Sequence, residues 1–319
     1  MFIEQDERII IMDIGGAKGF KNGIEVPELV VRPNLLPVDD LKHLRDIGIK
    51  TVYAQGMLDW NVIQPDLGAE LNFDKLDEYI ERMQQSGMKA IVPFIEVAPT
   101  WKTDDWYIRR DYYGIPNYRS EEAAMDYDAI AQALLPRYDK KYFQLTYGIP
   151  SGGEFAVHFH AYNSRLTLPG DEILPTKVLV DWVIGRNSLL EPQHNEIWTA
   201  YHHLTHPVWM DELYNAMRVE FPSSEFYGIQ FTYFGPVNRR RNMIPDLQHA
   251  RDTWRIKYFV GSEYCQGLRE HTPIAIEHGV WGFITSPFHF EQREKYTKME
   301  DWMFDELAWS LKQLQERND

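Results

Sequence analysis

"NFDKLDEYIERMQQSGMKAIVPFI", Asn72 to Ile95, holds two periodicities back to back. Phe73, Leu76, Tyr79, Ile80 and Met83 recur at three- and four-residue spacing, which predicts an amphipathic helix that stops at Gly87. "KAIVPFI", from Lys89, is a short apolar run of the kind a buried parallel strand needs. One helix feeding one strand is half of a βαβ unit, and the same alternation extends in both directions. Strand patterns begin at Arg8 ("RIIIMDI"), Thr51 ("TVYAQGM"), Lys89, Tyr142 ("YFQLTYG"), Glu196 ("EIWTAYH"), Phe226 ("FYGIQFT"), Lys257 ("KYFVGSE") and Gly279 ("GVWGFIT"). Helical patterns lie between them at "PVDDLKHLRDIG" and "WMDELYNAMRVEF", and "DWMFDELAWSLKQLQER" follows the last. Eight strands alternating with helices predict an α/β chain folded as a single (β/α)8 TIM barrel over residues 1–319. A doubly wound open sheet would want a phosphate-binding glycine turn after the first strand. "DIGGAKGF", from Asp13, lacks the G-x-G-x-x-G spacing.

Composition narrows the chemistry. A net charge of −15 disfavours a nucleic-acid partner. No apolar run reaches the length of a membrane span, and the acidic N-terminal stretch does not read as an export signal. The single cysteine, Cys265, allows no internal disulfide; a reducing, cytoplasmic setting is expected. Ten tryptophans and eighteen tyrosines supply flat apolar faces with polar edges, which suit sugar rings.

In a barrel of this kind the chemistry sits at the C-terminal ends of the strands. Glu154 follows the fourth strand in "GIPSGGEFAVHF", and Glu263 ends the seventh in "YFVGSEYCQG". Two carboxylates facing each other across the barrel mouth can cleave a glycosidic bond, one protonating the leaving oxygen while the other attacks or activates water. Taken alone, each glutamate reads as a solvated surface residue; the joint placement carries the argument. The glycines before Glu154 leave the turn open for its side chain.

"WNVIQPDLGAELNFDKLDEYIERMQQSGMKAIVPFIEVAPTW", Trp60 to Trp101, resembles the second and third βα units of glycoside hydrolase clan A. The shared features are a Trp, an apolar-Gln-Pro turn, a Phe-Asp-x-Leu-Asp helix, Gly-Met-Lys, and a strand running to Pro-x-Trp. The clan includes β-galactosidases, cellulases and mannanases. The resemblance implies an acid/base glutamate after strand four and a nucleophile on strand seven, matching Glu154 and Glu263, with retention of configuration at a β-linked glycosidic bond; the identity of the sugar is left to the loops. It also implies a tyrosine near the nucleophile, which Tyr233 matches. Two features depart from the clan pattern: Gly153, where an Asn normally precedes the acid/base, and the lack of an arginine in "TVYAQGM". The β-amylases, which invert, also carry a Gly-Glu pair after the fourth strand.

Further candidates lie near the strand ends. Trp60, Trp101 and Trp281 are candidate sugar platforms, although Trp281 comes early in its strand and fits the core equally well. Asp13, Glu96, His158 and His202 are candidates for binding sugar hydroxyls. His158, His160, His202, His203 and His206 also raise a metal-dependent hydrolase as an alternative, but such barrels place a His-x-His on strand one, where this chain has "MDIGG". No cofactor and no metal are called for. The expected partner is an oligosaccharide or polysaccharide, the oligomeric state stays open, and a non-catalytic carbohydrate-binding or polysaccharide-assembly protein on the same barrel is the alternative. The stretch from His158 to Asn195, with "NSRLTLPGDEILP" in its middle, reads as a long loop able to cap the cleft.

Overall fold

The structure is a computed structural model that describes residues 8–13, 20–21, 24–25, 36–54, 57–58, 60–93, 99, 101–109, 115–146, 176–190, 196–201, 208–230, 248–262, 265–287 and 298–316. Eight strands form one sheet: β1 (Ile9–Asp13), β2 (Thr51–Tyr53), β3 (Lys89–Pro93), β4 (Phe143–Thr146), β5 (Glu196–Tyr201), β6 (Glu225–Gln230), β7 (Lys257–Ser262) and β8 (Gly282–Thr285). Their order is β4-β3-β2-β1-β8-β7-β6-β5, and every ladder is parallel. The two end strands, β4 and β5, contact each other, so the sheet curls back on itself as a barrel. All eight strands fall where the sequence pattern puts them.

Strand alternation separates two cores. Ile9, Ile11, Tyr53, Ile91, Tyr227, Phe259 and Ile284 pack together as the barrel's filling. Their chain neighbours Ile10, Met12, Val52, Ala90, Val92, Phe226, Tyr258, Val260 and Phe283 belong to the larger core under the helices. Gln144 lies between outward-packed Phe143 and Leu145 and in register with Ile91, which puts a buried amide on the lumenal side of β4.

Among the described residues, seven helices of nine or more residues surround the sheet: α1 (Val38–Asp46), α2 (Asp74–Ser86), α3 (Glu121–Leu134), α4 (Thr176–Leu190), α5 (Val208–Glu220), α6 (Leu268–Glu277) and α7 (Asp301–Glu316). A π-helical turn, Ala250–Trp254, leads into β7. Local signals account for the ends of α2. The Asn72 side chain accepts a 2.8 Å bond from the Asp74 amide, and Asp74 and Asp77 place negative charge in the first turn. At the other end Gly87 adopts a left-handed φ of +73°, and the Met88 amide reaches back to the Met83 carbonyl. The Ser120 hydroxyl caps α3 by accepting from the Ala123 amide at 3.2 Å.

One expectation needs correction. The stretch expected as loop from His158 to Asn195 contains α4, which packs between α3 and α5. "TKVLVDWVIGRNSLL" has apolar residues on more than one side, so it lacks the one-sided stripe that betrays a surface helix. Val180, Trp182 and Val183 are buried, and Arg186 pairs with Asp128 of α3 at 2.5 Å. Residues 147–175 lie outside the described residues.

Candidate active site

Because every strand of the eight-stranded sheet is parallel, all eight C-terminal ends open on one mouth. Asp13, the last residue of β1, is in register with Tyr53, the last of β2. Thr146 closes β4, Gln230 closes β6, and Ser262 closes β7 in register with Thr285 of β8. Around the ring, β5 and β6 separate β4 from β7 on one side, and β3, β2, β1 and β8 separate them on the other. Glu154, Glu263, Tyr233, His158, His202 and Glu96 lie outside the described residues, as do the other three histidines of the metal alternative. Their strands are described. Glu263 is the residue after the end of β7, His202 the residue after β5, and Tyr233 and Glu96 lie three residues beyond β6 and β3.

The loops after β2 and β3 are built around an aromatic cluster. Trp60, only 1% exposed, meets Trp101, Trp106 and Tyr127 edge-on, with centroids 6.5, 5.4 and 5.2 Å away. Its indole N–H donates to the Gln64 side chain at 3.1 Å. Trp60 therefore has no free face for a sugar, and the platform expectation gives way to a core role. A tryptophan four residues before Gln64 can reach it across one helical turn, and the turn buries the ring.

Trp101 is different. It remains partly exposed, its indole N–H donates to the Gln64 carbonyl at 2.9 Å, and the Lys102 ammonium lies 5.4 Å from its ring centroid. Lys102 is itself nearly buried between Glu122 at 2.9 Å and Asp126 at 2.5 Å. Burial alone would lower its pKa, but hydrogen bonds and charge attraction from the two carboxylates outweigh it, so the net shift is upward. Asp126 also accepts from the Trp106 indole at 2.8 Å. The apolar-Gln-Pro turn carried the sequence resemblance, yet nothing in its spacing marked Gln64 as the bridge between two loops.

Trp281 lies at the other end of the barrel. It immediately precedes β8, its amide bonds the Tyr258 carbonyl at 2.8 Å, and its ring packs under the lumenal core. The Lys257 ammonium, at the start of β7, stands 4.8 Å from that ring. This is the floor of the barrel, so Trp281 fits the core reading and is not part of the mouth. Cys265 is fully buried, with its amide and thiol both directed to the Ser286 carbonyl. Burial pushes the thiol up to about 12, the state of a structural rather than a reactive cysteine.

Among solved structures, the β-galactosidase of Rahnella sp. R3 superposes with a TM-score of 0.63 at 12% identity, covering 98% of this chain and 56% of that one. A Bacteroidetes-affiliated GH5 cellulase gives 0.59 at 11% identity, covering 98% and 93%. The catalytic domain of β-amylase from Paenibacillus polymyxa gives 0.58 at 8% identity, covering 95% and 98%. This chain shares their fold. The chain spans 59% of the Marinomonas β-galactosidase, so part of that protein has no counterpart in it. No family model matches the sequence, and no curated protein matches it closely enough to count as a relative. Among the described residues, no helix is long and apolar enough to cross a membrane.

Proposed function

We propose that the chain is a glycoside hydrolase in which Glu154 is the general acid/base and Glu263 the nucleophile, acting with retention on a β-linked sugar. The observation that carries this reading is the end of β7. Phe259 faces the lumen while Tyr258 and Val260 face the helices. The same alternation, read on along the sequence past Ser262, supports the choice of Glu263 as the carboxylate of this strand end. The parallel sheet opens β4 and β7 onto the same mouth from separate sides, which suits two carboxylates flanking one bond.

Asp13, the last residue of β1, serves as a sugar-hydroxyl partner, with Glu96, His158 and His202 beyond their own strands. Tyr233 hydrogen-bonds the nucleophile, and Trp101 is the stacking platform. Trp60 and Trp281 leave the list of binding residues. An inverting reaction is the second reading, favoured by the Gly153–Glu154 pair together with the β-amylase fold match.

Turnover of p-nitrophenyl β-D-galactopyranoside, carboxymethyl cellulose and soluble starch, by the unaltered chain and by Glu154→Gln and Glu263→Gln, tests the proposal. The expected result is turnover of at least one substrate, with kcat reduced at least about a thousandfold in Glu263→Gln. Undiminished turnover in both variants would remove the pair from the chemistry.

A further inference from the structure

We infer that Gln64 is a positioning residue that holds Trp101 as a fixed stacking face for a pyranose ring beside the mouth. The inference rests on the reading that the chain binds a sugar there, and deepens it by naming what sets the platform.

Gln64 is bonded through every polar group it has on that side. Its amide donates to the Trp60 carbonyl at 2.8 Å, closing the short helical turn Trp60–Ile63. Its side-chain oxygen accepts from the buried Trp60 indole at 3.1 Å, and its side-chain nitrogen donates to the Ala69 carbonyl at 2.9 Å. Its backbone carbonyl receives the Trp101 indole N–H at 2.9 Å. The side chain thus ties the start of the short helix to Ala69 in the connection to α2, and the carbonyl of the same residue fixes a tryptophan 37 positions away.

The Asn72 amide, bonded to the Ile63 carbonyl at 2.7 Å, closes the same turn from its far side. Trp101 is then held by its N–H edge, by the edge-on Trp60 ring and by Lys102, and its partly exposed remainder needs little ordering when a ligand arrives. The apolar face of a pyranose ring, with hydroxyls directed away from the indole, is the chemistry such a surface recognises.

Releasing the Gln64 side chain leaves the Trp60 N–H without its partner and the 64–69 turn without its brace. The carbonyl that seats Trp101 is then free to reorient. Replacement by glutamate keeps the acceptor for Trp60 and loses the donor to Ala69, so it restores half of the brace.

Native gels cast with soluble starch, carboxymethyl cellulose or β-1,4-galactan measure sugar binding through retardation. The set is the unaltered chain, Trp101→Ala, Gln64→Leu, Gln64→Glu, and Gly87→Ala as a destabilised variant far from the turn. All are checked by thermal melting to be folded at the gel temperature. The expected result is retardation of the unaltered chain and of Gly87→Ala in the same gel. Gln64→Leu should bind about two- to tenfold more weakly, from the loss of aromatic stacking, with Gln64→Glu in between. Loss of binding in Trp101→Ala with unchanged binding in Gln64→Leu would overturn the inference and leave the sugar-binding reading standing. Equal weakening in Gly87→Ala would likewise overturn it, reducing the effect to stability. No retardation of the unaltered chain in any gel would overturn both.

Discussion

Trp60 separates a platform from a core residue by a measurable energy. At 1% exposure it has no face in water, so truncation to alanine removes nearly all of its contacts. A buried aromatic of about 200 Å² corresponds to about 5 kcal/mol of transfer free energy, and measured Trp→Ala losses run about 3–5 kcal/mol. Loss of the indole bond to Gln64 adds about 1 kcal/mol. Trp60→Ala should therefore cost about 4–6 kcal/mol, a large part of the total stability of an ordinary domain. Trp60→Phe keeps most of the ring and loses the donor, for a cost of about 2–3 kcal/mol. Urea unfolding followed by far-UV circular dichroism gives both values from the shift in midpoint at constant slope. A loss below about 1 kcal/mol for Trp60→Ala, with sugar binding abolished, would refute the core assignment and restore the platform.

Three further outcomes follow from the geometry. Cys265 keeps its proton in the folded chain up to about 12, so between the ordinary thiol range and that value the folded state holds a proton the unfolded state has lost; stability should fall as pH rises through this window, and Cys265→Ala should flatten the fall in urea titrations from pH 8 to 11. Gly48 has φ +101° and a Cβ there would come within 2.9 Å of Leu311, whereas Gly87 at φ +73° has its nearest contact, with Arg45, at 3.3 Å; Gly48→Ala should cost about 1–3 kcal/mol and Gly87→Ala about 1 kcal/mol, in the same unfolding assay. Trp281→Ala should lower the melting temperature and leave gel retardation by polysaccharides unchanged, as expected of a residue at the barrel floor.

The strands were the most legible part of the chain because each needs only a few apolar, β-branched or aromatic residues bounded by turns, and all eight fell in place. The α2 unit was legible for a second reason: its stripe and its Gly87 stop signal agree. α4 was not, because Val180, Trp182 and Val183 bury it on more than one side and no single face stands out. Among the candidate residues, sequence position located strand ends well and side-chain depth poorly. Trp60 and Trp101 look alike in the sequence, but a helical turn buries one ring and a loop leaves the other partly open. Gln64 was invisible as a brace because its partners, Ala69 and Trp101, are brought to it only by the fold.

The separation between the carboxyl groups of Glu154 and Glu263, measured in a crystal structure with a sugar bound between them, tests the central claim most directly. The account predicts about 5–5.5 Å, the spacing of a retaining pair. A separation well beyond the roughly 9.5 Å limit of inverting pairs, or carboxyl groups at opposite ends of the barrel, would contradict it.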